Sequence, residues 1–225
     1  MLNNEDLAQA ERRLKDRELS PEIIDLAEKD FLSLIEKHPN EAKLFGLLSK
    51  LYYKKMFVTN TPILELHEKG IEYGLKGVAL DPENIDSNFW LGVNYGLSAM
   101  ARGVMSSYFL LEPTDKYLSK ALSLDPSYFF GGPERAYGWF LHQIPAWPIS
   151  KGDNKKALEH LLRSLKYCHD FFLTRYYLAK VYHALGERKR AKEQALWVIE
   201  TPSNERYMKE EKTFKDEMLI LIKSL

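Results

Sequence analysis

The sequence contains a single cysteine, Cys168, among 225 residues, and it has no long apolar run. One cysteine excludes an intramolecular disulfide framework, and a thiolate zinc site would need more than one. No window reaches the ~20 apolar residues that a membrane-spanning helix needs. Neither sign of charge is in excess, because 32 Lys and Arg balance 32 Asp and Glu. A neutral chain has no long-range field to attract nucleic acid or an anionic membrane.

The motifs of common catalytic and metal sites are also missing. Cys168 and His169 are adjacent, and neighbours on a helix point in different directions, so a catalytic pair is not expected. Gly131-Gly132-Pro133 lacks the Gly-Lys-Ser/Thr that completes a phosphate-binding loop. The histidines show no metal-ligand spacing: His38, His67, His142, His160, His169 and His183. We expect no enzyme activity, no metal site and no cofactor.

A proline-containing step recurs between helix-like apolar runs. Its first three prolines lie 43 and 44 residues apart, and a proline-free copy at His169 precedes the last by 33. The copies are His38-Pro39-Asn40, Asp81-Pro82-Glu83-Asn84, Asp125-Pro126-Ser127-Tyr128, Cys168-His169-Asp170 and Thr201-Pro202-Ser203-Asn204. Tetratricopeptide repeats have a period of ~34 residues. The longer intervals fit that period with about ten extra residues between the two helices of a unit.

Small and aromatic residues occupy matching places in successive units. Leu91-Gly92 and Tyr95 resemble the first-helix signature of a tetratricopeptide repeat, and Gly70, Gly74 and Gly77 suit close helix packing. Ser20-Pro21 and Asp153 predict helix N-termini. The sequence predicts an all-α, tetratricopeptide-like helical-repeat solenoid of about eleven helices, with inserts between paired helices. We predict one domain, 1–225, built of units 2–39, 40–82, 83–126, 127–169 and 170–202 and a closing helix at 203–225.

The block from Gly131 to Asp153 departs from a generic repeat. It reads G-G-P-x-R-x-x-G and then P-x-W-P-x-S-x-G-D. This combination resembles the TatT-like T component associated with tripartite ATP-independent periplasmic (TRAP) transporters. The resemblance implies a non-enzymatic helical-repeat protein, exported and lipid-anchored. Such a protein partners a periplasmic solute-binding protein, forms homo-oligomers and has a cleft for a hydrophobic small molecule.

The N-terminus differs from that expectation. It has neither a basic nor an apolar signal region, and it has no lipobox cysteine because Cys168 lies far inside the chain. The resemblance implies a periplasmic location, whereas a native start at Met1 implies a cytoplasmic one. The alternative to a T component is therefore a cytosolic tetratricopeptide adaptor, which binds protein segments and has no small-molecule role.

Several residues of the block have physical roles that the sequence predicts. Pro145 and Pro148 remove two backbone donors around Trp147, so this stretch is a rigid non-helical loop. We expect Trp147 to plug the core, since tryptophans are largely buried, and the alternative is presentation to a partner. We expect Arg135 to face inward and hold the Pro145–Asp153 loop through backbone carbonyls or a carboxylate, with Asp153 or Asp115 as the candidate carboxylates, and the alternative is contact with a ligand. The structural motif comprises Gly131, Gly132, Pro133, Arg135, Pro145, Trp147, Pro148 and Asp153.

Repeat stacks usually bind on the concave face, which first helices line. In this register the face is aromatic and apolar, although Lys43, Lys50 and Lys54 fall on it in the second unit. It suits an apolar ligand, a hydrophobic segment of a partner or an oligomer interface. The alternative is that inserts such as 102–113 cover it. The predicted ligand- or partner-binding residues are Phe89, Trp90, Val93, Pro133, Tyr137, Phe140, Tyr176 and Tyr177.

The densest basic run gives no reason to expect nucleic acid. Glu187-Arg188-Lys189-Arg190 is interrupted by acids on both sides and indicates a solvated helix start. The partners that we predict are a protein, with a solute-binding protein as the candidate from the resemblance, and a hydrophobic small molecule. We predict no membrane span.

Overall fold

The protein is described here from a computed structural model, which covers residues 4–15, 20–103, 107–202 and 208–225. Within these ranges the chain forms eleven α-helices, one short 3-10 helix at Tyr108–Leu110 and no strand. The helices are α1 (Asn4–Lys15), α2 (Pro21–Lys37), α3 (Ala42–Lys55), α4 (Ile63–Leu80), α5 (Ile85–Arg102), α6 (Leu111–Leu124), α7 (Tyr128–Gln143), α8 (Asn154–Tyr167), α9 (Phe172–Ala184), α10 (Arg188–Glu200) and α11 (Met208–Ser224). The all-α class and the helix number are confirmed.

The proline steps fall where the sequence predicts them. The turns at Pro39, Pro82, Pro126 and His169 separate helix pairs, and Pro202 follows α10. Ser203 and Asn204 of the last step lie outside the described residues. The extra residues lie between the paired helices, at 56–62, in the described part of 103–110 and at 144–153. The two helices of each pair pack against each other across their connection, so each predicted unit contains an antiparallel helix pair.

Two compact units make up the chain, one at 1–124 with α1–α6 and one at 125–225 with α7–α11. Within each unit a helix packs mainly against its neighbours in sequence, as nearest-neighbour repeats do. The prediction of one repeat domain over 1–225 stays a prediction.

The core of the first unit is centred on α3. Twelve of the fourteen residues of this helix are buried, including Leu44, Leu48 and Leu51, which are fully enclosed. The predicted small positions of α4 lie against α5. A Cβ added at Gly70 would collide with the Asn94 side chain, and one at Gly74 would collide with Leu91. Glycine at these places lets the two helix axes approach closely.

A buried polar network joins α3, α4 and α5. Ser49 Oγ donates to the Gly70 carbonyl at 2.7 Å, and Asn94 Nδ2 donates to the Ser49 and Trp90 carbonyls at 3.1 and 2.9 Å. His67 Nδ1 lies 3.0 Å from Asn94 Oδ1 and donates to it. Burial lowers the pKa of His67, although this hydrogen bond acts in the opposite direction. The imidazole is therefore neutral at pH 7 and serves as a structural link between helices.

The second unit has its own core, into which α11 closes. Leu141, Leu161 and Leu178 are among its buried residues. Glu217 of α11 accepts a hydrogen bond from Tyr176 at 2.6 Å and pairs with Lys180. The predicted closing helix therefore exists within the described part of 203–225, and it is attached to α9 through both polar and aromatic contacts.

Both predicted N-caps are confirmed. The Ser20 hydroxyl accepts from the Ile23 N–H, and the Asp153 carboxylate accepts from the Lys155 and Lys156 N–H groups. Each cap satisfies donors that the first helical turn leaves without an intrahelical partner.

Candidate functional site

The predicted concave-face residues of the first unit are largely enclosed. Phe89 and Trp90 are buried, and Trp90 is only 1% exposed, while Val93 is half-buried. The Trp90 ring lies 5.1 Å from the Tyr53 ring, and the Lys50 ammonium lies 5.4 Å from its centroid. A ligand could reach Trp90 only if these neighbours moved. That these residues bind a ligand stays a prediction.

The predicted residues of the second unit are brought together by α7 and α9. Pro133, Phe140 and Tyr176 are buried, whereas Tyr137 and Tyr177 are half-buried. Trp139, which the sequence did not single out, stacks on Tyr177 with a centroid separation of 4.1 Å. Burial raises the pKa of Tyr177 to about 12, against the opposing influence of the Arg135 charge. The Tyr177 phenol is therefore neutral near pH 7.

The N-terminal part of α7 contains a left-handed turn. Phe129 and Phe130 have φ of 47° and 59°, and Gly131 follows with φ of 71°. A bulky residue in the left-handed region costs roughly 1–2 kcal/mol, so two in succession need support from their surroundings. Part of that support comes from the Ser164 hydroxyl, which donates to the Gly131 carbonyl at 3.0 Å. Regular helix begins after Gly131, with Pro133 in its first turn, where proline is tolerated.

Arg135 holds this turn in place. The side chain is buried as predicted, and it donates to the Phe130 carbonyl at 3.1 Å and to the Phe129 carbonyl at 3.4 Å. Its guanidinium also lies 3.9 Å from the centroid of the Phe171 ring. Arg135 binds backbone carbonyls, as predicted. These carbonyls belong to the left-handed turn and not to the loop that it was predicted to hold. Asp153, one of its two predicted charge partners, instead caps α8. Pairing with Asp115 stays a prediction.

A charged cluster connects α7 to α8. The carboxylate of Glu134 lies 2.6 Å from His160 Nδ1 and accepts from Arg163 Nε at 2.9 Å. Burial alone would raise the pKa of Glu134, but the hydrogen bonds and charges of His160 and Arg163 outweigh it, and the pKa is lowered. Glu134 is therefore ionised at neutral pH, and its negative charge stabilises the α7–α8 contact.

Replacing Glu134 with glutamine should destabilise the protein in a pH-dependent way. At pH 7 we expect a loss of about 2 kcal/mol, typical of a buried hydrogen bond to a charged group. A lowered folded-state pKa contributes stability above the unfolded value of about 4.3, and this contribution disappears as the pH falls through the folded-state value. Urea unfolding of both proteins between pH 7 and pH 3 measures the difference, which should shrink below pH 4. A difference that stays constant with pH would contradict an ionised Glu134.

The connection 144–153 forms a fixed loop between α7 and α8. The Gly152 N–H donates to the Pro145 carbonyl at 2.9 Å, and the Asp153 N–H donates to the Leu141 carbonyl at 3.1 Å. Gly152 lies so close to the backbone of Ile144 and Pro145 that a Cβ would collide with both. The Trp147-Pro148 peptide bond is cis. The predicted non-helical conformation of this stretch is confirmed.

Trp147 is not a core residue. Its side chain is 85% exposed, and Ile149 beside it is 64% exposed. The prediction of a core plug is wrong, because the closure at Gly152 folds the ends of the loop together and leaves its middle on the outside. Local proline and glycine positions predicted a fixed loop, but the direction of the indole depends on contacts that sequence spacing does not encode.

Another exposed apolar group lies in the first unit. Tyr108 and Phe109 are 62% and 66% exposed, and Met100 at the end of α5 is 48% exposed. Sequence reasoning did not select these residues, because they follow no helical periodicity. The one available signal was the length of the 102–113 insert, since long connections in compact domains are commonly functional.

Reactive chemistry is not evident in the part of the chain that the structure describes. No group of three or more His, Cys, Asp and Glu side chains there is placed to hold a metal ion. The Cys168 thiol donates to Asp170 at 3.2 Å, and burial, followed by this carboxylate, raises its pKa. A raised pKa favours the protonated thiol, which is a poor nucleophile. None of the described helices combines the length and apolar character needed to cross a bilayer.

Comparison with solved structures identifies the fold. TTC0263, a thermophilic TPR protein of Thermus thermophilus, superposes with a TM-score of 0.64 at 19% identity, covering 88% of this chain and 91% of that one. PilW, a type IV pilus biogenesis factor, gives a TM-score of 0.61 at 16% identity, covering 97% of this chain and 83% of that one. No family model matches the sequence, and no curated relative matches it. The tetratricopeptide-like helical-repeat fold is thus confirmed.

Proposed function

We propose that this protein is a non-enzymatic scaffold of tetratricopeptide-like repeats that binds a protein partner. The observation that carries the proposal is the pairing of successive antiparallel helices in a fold similar to that of TPR proteins. The raised pKa of Cys168 and the lowered pKa of the buried His67 also suit structural roles for these two side chains.

The exposed group of Met100, Tyr108 and Phe109 is the partner surface that we favour in the first unit. Aromatic residues and methionine are enriched in protein interfaces, and methionine adapts its shape to different partners. The group lies at the connection between the paired helices α5 and α6, which pack against the 3-10 helix that carries Tyr108 and Phe109. Connections on a rigid scaffold are common sites of binding.

The finer proposal is that the protein acts as a TRAP-associated T component in the periplasm, as a homo-oligomer beside a solute-binding protein and with a bound apolar ligand. Its support is the block from Gly131 to Asp153, whose residues build a left-handed turn, a buried arginine and a fixed loop in close succession. The alternative is a cytosolic adaptor without a ligand. A native mass spectrum of the purified protein separates the two. A lipid-sized adduct and an oligomer support the T component, whereas an unliganded monomer supports the adaptor.

Phe109→Ala should weaken partner binding at least tenfold, because truncating an exposed aromatic anchor at the centre of an interface typically removes about 1.4 kcal/mol or more. Isothermal titration calorimetry with a purified TRAP solute-binding protein measures the dissociation constants of the variant and of the wild type. The melting temperature should change by less than about 2 °C, since the ring contributes little buried area.

Leu26→Ala is the matched control, because Leu26 on α2 is also exposed, at 45%, and belongs to the same unit. This variant should bind as the wild type does. Equal affinity of the Phe109 variant and the wild type would rule out this surface. Failure of the wild type to bind the solute-binding protein would remove the TRAP-specific part of the proposal.

A further inference from the structure

Two helix connections of the second unit lie at the same edge. Because paired helices run antiparallel, α7 and α9 are parallel to each other, and both end where α8 and α10 begin. Leu141 near the end of α7 and Leu185 after α9 also belong to one hydrophobic cluster, which agrees with this arrangement. The loop 144–153 and the turn 185–187 therefore share this edge.

Exposed apolar and basic side chains are found together at this edge. Trp147, Pro148 and Ile149 form its apolar part. Its basic part consists of exposed residues among the first five of α8 and of α10, which are Lys155, Lys156, Arg188, Lys189 and Lys192. Within the described ranges, none of these five makes an ion pair with an acidic side chain.

The charge of the chain is unevenly distributed between the units. Residues 125–225 contain 17 Lys and Arg against 13 Asp and Glu, so the second unit carries a net positive charge. The zero net charge of the whole chain therefore does not apply to the second unit, to which this edge belongs. Basic residues close to one another retain a local field over roughly a Debye length, which is about 8 Å at physiological ionic strength.

We propose that this edge of the second unit docks on an anionic lipid surface. The indole of Trp147 and the side chain of Ile149 would enter the interfacial region, while the four lysines and Arg188 contact lipid phosphates. Tryptophan prefers the membrane–water interface, and each basic residue near an anionic bilayer adds to the attraction. The negative and apolar layers of such a bilayer match the two kinds of side chain exposed here.

A lipid surface fits the geometry better than a protein groove. Trp147 lies on the outside of its loop, so its side chain can insert into a partner. It does not form a pocket that could receive a side chain of the partner. A bilayer accepts an inserted indole without a preformed cavity, and phosphates distributed over its surface can match basic residues on two separate helices. The fixed backbone of the loop keeps Trp147 exposed before contact, which reduces the entropy lost on docking.

The inference goes beyond the scaffold function, because it concerns where the scaffold is held. Its test is co-sedimentation of the full chain with vesicles of phosphatidylcholine alone and of phosphatidylcholine with about 30% phosphatidylglycerol. We expect binding to the anionic vesicles only, with a partition coefficient that falls at least tenfold between about 50 and 300 mM NaCl. Brominated lipid in the anionic vesicles should quench tryptophan fluorescence in the wild type and much less in Trp147→Ala.

Two variants test the apolar and basic parts separately. Trp147→Ala and the double variant Lys155→Ala/Lys156→Ala should each lower the partition coefficient about tenfold or more. The matched controls are Tyr167→Ala and Lys166→Ala, because both residues are exposed at the opposite end of α8. Both controls should bind vesicles as the wild type does.

Three results would overturn the inference: no binding to anionic vesicles, equal binding to neutral vesicles, or equal losses in variants and controls. Loss of solute-binding protein affinity in Trp147→Ala, together with absent vesicle binding, would assign the edge to a protein instead. The two proposals fail separately, because Phe109→Ala should leave vesicle binding unchanged and Trp147→Ala should leave partner binding unchanged.

Discussion

Trp90→Ala should lower the free energy of unfolding by about 4 kcal/mol, as expected for removal of a large buried aromatic side chain. Trp90 is 1% exposed, and its ring contacts Tyr53 and Phe89 at centroid distances of 5.1 and 4.8 Å. Its removal would leave a cavity lined by these rings. It would also take the aromatic face away from the Lys50 ammonium, which the ring now helps to accommodate.

Urea unfolding followed by far-UV circular dichroism measures this loss, and the melting temperature should fall by about 10 °C or more. Trp147→Ala is the control, because it deletes the same chemical group from a site that is 85% exposed, and it should change stability by less than about 0.5 kcal/mol. Similar stability of Trp90→Ala and the wild type would mean that Trp90 is not a core residue. It would then remain a candidate for ligand contact.

Arg135→Ala should have the second largest effect, a loss of about 3 kcal/mol. The substitution removes two charge-assisted hydrogen bonds to the carbonyls of Phe129 and Phe130 and the guanidinium contact with Phe171. The left-handed turn would then lose a main support for its unfavourable backbone conformation. Some strain would be released as the turn relaxed, so the loss should be smaller than the sum of the separate contacts.

The measurement is again equilibrium unfolding, combined with the near-UV circular dichroism that reports aromatic packing. Arg135→Lys is the informative companion. It keeps the positive charge but cannot donate from a planar fork to two adjacent carbonyls, so its stability should lie between those of the alanine variant and the wild type. Unchanged melting in the alanine variant would show that the turn is held by its other contacts, such as the bond from Ser164 to Gly131.

Much of the fold could be predicted because repeats encode it locally. Pro39, Pro82 and Pro126 exclude regular helix around them, and in each case a turn separates two helix pairs there. Gly70 and Gly74 mark helix faces that approach closely, and Ser20 and Asp153 begin helices through their own side chains. The residue types that signal these features lie within single units, so the sequence of each unit is enough to predict them.

The candidate sites were less predictable, because exposure is a property of tertiary packing. Trp147 and Trp90 are the same residue type, yet one is exposed and the other enclosed. Trp147 is exposed because the loop closes at Gly152 and leaves its middle outside. Trp90 is enclosed because the rings of neighbouring aromatic residues surround it. The left-handed conformation of Phe129 and Phe130 also has no signal in residue type, since phenylalanine rarely adopts it.

The burial of α3 has a consequence for how the first unit loses its structure. A helix with twelve of fourteen residues buried cannot detach alone, because it contacts α1, α2, α4 and α5. Arrays of repeats otherwise fray from their ends, each unit separating at the cost of one interface. In this unit α3 couples its neighbours, so α2, α4 and α5 should unfold in one cooperative step. Local unfolding of this unit that stops short of this step would be confined to α1 and α6, which lie outside the coupled group.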